Sequence, residues 1–162
     1  MAILEIVKYP ASVLLKQTDP VTVFDDSLKQ LARDLEETMY AAPGVGLAAN
    51  QVGIAKRISV VNIFGPERRD GLIVLINPEI IRAEGEEEAE EGCLSIPGVW
   101  DKVNRATYVL VKTNTLDGGF IEIEGRGLLA RAFQHEIDHL KGIVFIERLS
   151  LLKKRILKKK LR

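Results

Sequence analysis

Cysteine occurs once in the 162 residues, which excludes any disulfide within the chain and with it the stapled secreted scaffolds. Long apolar runs are missing. The longest stretch without charged or strongly polar side chains covers residues 39–49 and is interrupted by Pro43, Gly44 and Gly46, whereas a membrane span needs about 20 such residues. The opening Met-Ala-Ile-Leu-Glu lacks the basic start and apolar block of a signal peptide. No repeat, Gly/Ser linker or low-complexity block divides the chain. These absences predict a cytoplasmic protein without a membrane partner, built as a single domain over residues 1–162.

What is present suits a globular chain: 46% hydrophobic and 28% charged residues. A domain of this length buries roughly 70% of its unfolded surface, enough for a core without disulfides. The net charge is zero, from 23 basic and 23 acidic residues, but unevenly spread. Residues 148–162 hold eight basic residues and no acid, leaving 15 basic against 23 acidic, or −8, in residues 1–147. Residues 84–91 contain six glutamates. An acidic body with a basic tail predicts a tail that meets something negative.

Apolar periodicity supplies the elements. Leu28, Leu31, Leu35 and Met39 share one face of a helix that opens at Asp25-Asp26 and ends before Pro43-Gly44. Residues 58–64, 72–76, 107–113 and 120–124 read as strands, the last two joined by a hairpin turn at Asp117-Gly118-Gly119. Residues 127–140 read as a helix bounded by Gly142, with a strand expected after it. Ser150 caps a last, basic helix over about 150–162, with Leu152 and Ile156 expected to face the body. Strands grouped between helices predict an α+β fold, with antiparallel or mixed sheets around a central helix.

That central helix carries His135-Glu136-Ile137-Asp138-His139, and its two histidines are the only ones in the chain. Positions i and i+4 share a helix face, so both imidazoles can reach one metal ion, with Glu136 placed to accept a proton. A catalytic ion of this kind takes three protein ligands. After His139 only Glu147 remains as a carboxylate candidate. The other candidate is Cys93, in Glu91-Gly92-Cys93-Leu94-Ser95-Ile96-Pro97, where Gly92 permits an unusual backbone and Pro97 stops a regular strand. A lone cysteine is as readily a small buried hydrophobe, and the residues alone leave the choice open. The run Gly44-Val45-Gly46-Leu47-Ala48-Ala49-Asn50-Gln51 lacks a phosphate-loop lysine and reads better as backbone that approaches a ligand, with Gln51 as an amide donor or a plain loop residue.

Taken in order, the glycine run, the Cys93 segment and Gln134-His135-Glu136-Ile137-Asp138-His139 resemble the peptide deformylase family, with Tyr9-Pro10, Leu75-Ile76-Asn77-Pro78 and the basic end extending the likeness along nearly the whole chain. The resemblance implies a hydrolase that removes the formyl group from N-formylmethionine on nascent proteins. It implies Cys93, His135 and His139 as ligands of Fe²⁺, with Zn²⁺ or Ni²⁺ as substitutes. Glu136 would be base and then acid, and Gln51 with the backbone N–H of Leu94 would stabilise the oxyanion. Val45, Gly46, Glu91, Gly92, Leu128 and Ala132 would line the peptide cleft, and the tail would meet ribosomal RNA near the exit tunnel. Two departures stand out: Leu14-Leu15-Lys16 replaces a Leu-Arg pair, and Arg131 occupies a pocket-side position that is apolar in some members. Outside this family, the residues also admit a zinc peptidase with a carboxylate ligand, or a ribosome-associated domain with a structural metal.

Overall fold

Asp25 starts the first long helix because its carboxylate accepts from the backbone N–H groups of Ser27 and Leu28. In the computed structural model, which describes residues 2–161, this helix, α1, spans Asp26–Ala41. It buries Leu28, Leu35 and Met39 of the expected stripe together with Ala32, while Leu31 is half-buried at the edge of the same cluster. Beyond it run β1 (Gly46–Ala48), a 3-10 turn over Ala49–Val52, β2 (Ile58–Val61) and β3 (Ile73–Glu84).

Five strands form the main sheet in the order β1-β2-β3-β6-β7, where β6 is Tyr108–Asn114 and β7 is Phe120–Arg126. Every neighbouring pair is antiparallel. The turn at residues 115–119 closes on a bond from Thr115 N–H to the Gly119 carbonyl. Leu128–Leu140 forms α2, which lies across the sheet with Ala130, Phe133 and Ile137 against Val61, Leu75, Val109 and Val111. Gly125 on β7 makes room: a Cβ there would stand 2.9 Å from the Phe133 ring.

Two strands absent from the sequence reading form a separate antiparallel ribbon, β4 (Glu87–Cys93) and β5 (Ile96–Arg105). Pro97 does not stop a strand; it is the second residue of β5, a position tolerated near a strand start in a ribbon with free edges. The backbone at Gly92 also stays out of the left-handed region. Its lack of a side chain matters instead, since a Cβ would fall 2.6 Å from the Trp100 ring.

After α2 the chain forms a 3-10 turn, Phe145–Arg148, in place of the expected strand. Ser150 then caps α3, Leu151–Lys160, by accepting from Lys153 N–H. The expected face of α3 is wrong. Leu152 and Ile156 are exposed (69% and 57%), while Leu157 and Leu161 pack on the cluster around Leu14, Ile96 and Phe145. Ion pairs hold this rotation: Lys153 with Asp101, and Lys154 and Lys158 with Glu147. The final basic residue of the tail, Arg162, lies outside the described residues. Among those described, no helix is long and apolar enough to cross a membrane.

Candidate metal centre

Because α2 packs on the sheet through Phe133 and Ile137, its adjoining face turns His135, Glu136 and His139 toward the ribbon. Cys93, the last residue of β4, meets them. Its sulfur lies 3.2 Å from His139 Nε2, and that nitrogen lies 3.1 Å from His135 Nε2. One donor atom from each of the three residues falls within 4.8 Å of the other two. Two imidazole nitrogens and a thiolate form a borderline-soft set that suits Fe²⁺, Zn²⁺ or Ni²⁺ better than Mg²⁺ or Ca²⁺. Glu147, the alternative carboxylate, is engaged by Lys154 and Lys158.

The remaining nitrogen of His135 is committed. Its Nδ1 lies 2.8 Å from Glu91 Oε1; donating there leaves Nε2 as the atom that would present a lone pair to a bound ion. Glu91 is buried, and burying an unpaired carboxylate costs several kcal/mol, ~3–5 kcal/mol when one partner of a pair is removed. Arg105 offsets this, donating from Nε to Oε2 (2.8 Å) and from Nη2 to Oε1 (2.9 Å). Burial would raise the Glu91 pKa, but Arg105 and His135 override it and hold the carboxyl far below the carboxylate range. Arg105 also donates to Asp138 at 2.6 Å, and Arg148 grips the same carboxylate at 2.7 and 3.0 Å. The chain's own charges thus brace the helix that carries the histidines.

Glu136 stands apart from that network. It is 3% exposed, its Oε1 has no hydrogen-bond partner, and burial pushes its pKa up to about 7. A carboxyl poised near neutrality suits proton transfer at physiological pH. Burial holds His139 well below the usual imidazole range. In the metal-free protein His135 is pushed up to about 10; burial alone would lower it, and Cys93 and Glu91 overcome that.

Gln51 sits beside the donors with a fixed amide. Its Oε1 accepts from Ala48 N–H (3.0 Å), which turns Nε2 toward Ser95 Oγ (3.2 Å) and Cys93 Sγ (3.5 Å). A cavity of about 850 Å³ opens over this cluster. Val45, Gly46, Glu91, Gly92, Leu128 and Ala132 all line it, as do Gln51, Leu94 and Arg131. His139 is fully buried beneath. The sequence reading missed Arg105, Ser95 and the role of Asp138. Asp138 and Ser95 carried a signal, their places inside the histidine motif and the Cys93 segment; Arg105 carried none.

The profile of the polypeptide deformylase family matches residues 3–155. A peptide deformylase of Acidobacterium capsulatum is 51% identical over 162 residues, all of this chain and 95% of that one. The crystal structure of a peptide deformylase from Legionella pneumophila superposes with a TM-score of 0.92 at 48% identity, covering 99% of this chain and 94% of that one. A Thermus thermophilus peptide deformylase structure gives 0.90 at 41% identity, covering 98% and 92%.

Proposed function

This chain belongs to the peptide deformylase family, metal-dependent hydrolases that remove the N-formyl group from nascent peptides, and we propose that Cys93, His135 and His139 hold an Fe²⁺ ion for that reaction. The observation that carries this reading is the convergence of those three donors beside a buried Glu136 whose Oε1 has no hydrogen-bond partner. A bound divalent ion would supply Lewis-acid activation of water and of the formyl oxygen.

The side chains divide the remaining work. Glu136 takes a proton from the attacking water as the C–O bond forms. Negative charge then develops on the formyl oxygen, where the Gln51 side-chain amide and the Leu94 N–H donate; each such donor contributes about 100- to 1000-fold in rate. Glu136 returns the proton to the departing amine as the C–N bond breaks, giving formate and a free N-terminus. Val45, Gly46, Glu91, Gly92, Leu128 and Ala132 form the walls that seat the methionine and its peptide. A formamide offers little surface beyond the methionine side chain, so these walls provide the binding that places its carbon against the centre.

The whole of residues 1–162 acts as one domain in the cytoplasm, with the basic end on ribosomal RNA near the exit tunnel. Leu157 and Leu161 anchor α3, and Arg155, Lys159 and Lys160 lie outside the ion pairs described above. Formate release from a formyl-Met peptide by anaerobically iron-loaded protein tests the reading. It predicts turnover with one iron per chain, and turnover independent of iron loading would contradict it.

A further inference from the structure

Arg131 brings a full positive charge to the wall of the cleft, yet its head is turned away from it. Nη1 donates to Glu91 Oε2 (2.7 Å) and to the Val103 carbonyl (2.9 Å), and Nη2 donates to the Glu87 carbonyl (2.7 Å). The side chain is only 11% exposed. What faces the cavity is therefore its aliphatic stem, and the wall stays apolar. The head spans from α2 to both strands of the ribbon, since Glu87 and Glu91 lie on β4 and Val103 on β5.

The candidate metal ligands straddle that same gap, with Cys93 on the ribbon and His135 and His139 on α2. Arg131 and His135 are one helical turn apart, so both reach Glu91 from one face of α2. Arg105 also grips Glu91, but from β5, and reaches α2 through a different carboxylate, Asp138. Arg131 instead ties it to the helix that bears the histidines. Without Arg131, Oε2 loses its donor from α2, and His135 Nδ1 would be the one direct contact left between Glu91 and that helix, with Arg105 joining the two only through Asp138.

We propose that Arg131 is a positioning residue of the metal centre, stapling the ribbon to α2 through Glu91 so that Cys93 and His135 meet at the right separation. The proposal rests on the assignment of Cys93, His135 and His139 as ligands. Its test is the Co²⁺-loaded protein, read by chelator competition and by the thiolate-to-cobalt absorption band, alongside kcat and KM on a formyl-Met peptide. Arg131→Met keeps the stem in the cleft and removes every donor. It should weaken Co²⁺ affinity ~10- to 100-fold, shift the band and lower kcat more than it raises KM. In a Glu91→Gln background the same change should add little, because both act through one contact.

Wild-type Co²⁺ affinity and an unshifted band, with KM alone raised, would make Arg131 a plain pocket wall and overturn the proposal. A band that survives Cys93→Ala would overturn the ligand assignment and this proposal with it; a band that needs Cys93 but ignores Arg131→Met sinks this proposal alone. Should Arg131→Met fail to fold, Arg131→Lys decides, since one ammonium cannot span the two carbonyls and the carboxylate. Affinity below wild type supports the staple, and affinity equal to it contradicts it.

Discussion

The carboxylate of Glu136 lies against the bare backbone of Gly46: a Cβ built on Gly46 would stand 2.5 Å from Oε2 and 2.8 Å from the carboxyl carbon. The edge strand β1 therefore has to present glycine where α2 presents the proposed proton carrier. This is why the glycine run and the histidine motif, some 90 residues apart, belong to one site.

Gly46→Ala follows directly. The added methyl must displace Glu136, and a shift of about 1 Å in a catalytic group can lower the rate ~100-fold. Metal content should be unchanged, because neither residue is a proposed ligand. Wild-type kcat in the alanine variant would show that Glu136 is free to move without loss.

Glu136→Gln keeps the shape and removes the proton acceptor. General acid–base catalysis contributes about 100- to 10,000-fold, so deformylation should fall by that order with metal retained. The variant's metal content and formate release decide it, and normal turnover at full metal occupancy removes Glu136 from the mechanism.

How much of this was open to reading from the chain depends on distance in sequence. His135, Glu136 and His139 declare themselves because helical spacing alone puts them on one face. Cys93 does not: its partners are 42 and 46 residues away, so the residues leave it level with Glu147 and only the family resemblance decides for it. The ribbon was invisible because residues 84–91 show no alternation of apolar residues; Glu91 points inward only because Arg105 waits there to meet it. In α3 two apolar stripes competed, Leu152 with Ile156 and Leu157 with Leu161. The pairs from Lys154 and Lys158 to Glu147 and from Lys153 to Asp101 go with the second, and such long-range partners leave no mark on local periodicity.

Glu91 gives the protein an acid limit. Its folded pKa lies far below the ordinary 4.5, so an unfolded chain binds a proton there more readily than the folded one. The contribution to stability is complete above pH of about 4.5 and declines as pH falls from that value toward the folded pKa. Thermal melts of metal-free protein between pH 6 and 3 (about the range that brackets an unfolded carboxylate) should show Tm falling with pH, and less steeply in Glu91→Gln. Parallel slopes for the two proteins would rule out this origin.

For the tail, reversing Arg155, Lys159 and Lys160 to glutamate spares the ion pairs of Lys153, Lys154 and Lys158 and the anchoring leucines. Ribosome co-sedimentation should weaken, and its salt dependence should flatten as phosphate contacts are lost, by roughly one unit of log–log slope per contact. Activity on short formyl-peptides should stay the same. Binding that survives reversal with its salt dependence intact places the contact elsewhere.

Cys93 decides the nature of the centre, because a sulfur ligand would separate it from one built on two histidines and a carboxylate. Iron per chain and formate release, measured on anaerobically loaded wild type and Cys93→Ala, test it together. Loss of both iron and turnover in the variant is the predicted result. Stoichiometric iron with undiminished formate release in Cys93→Ala would contradict the three-ligand centre.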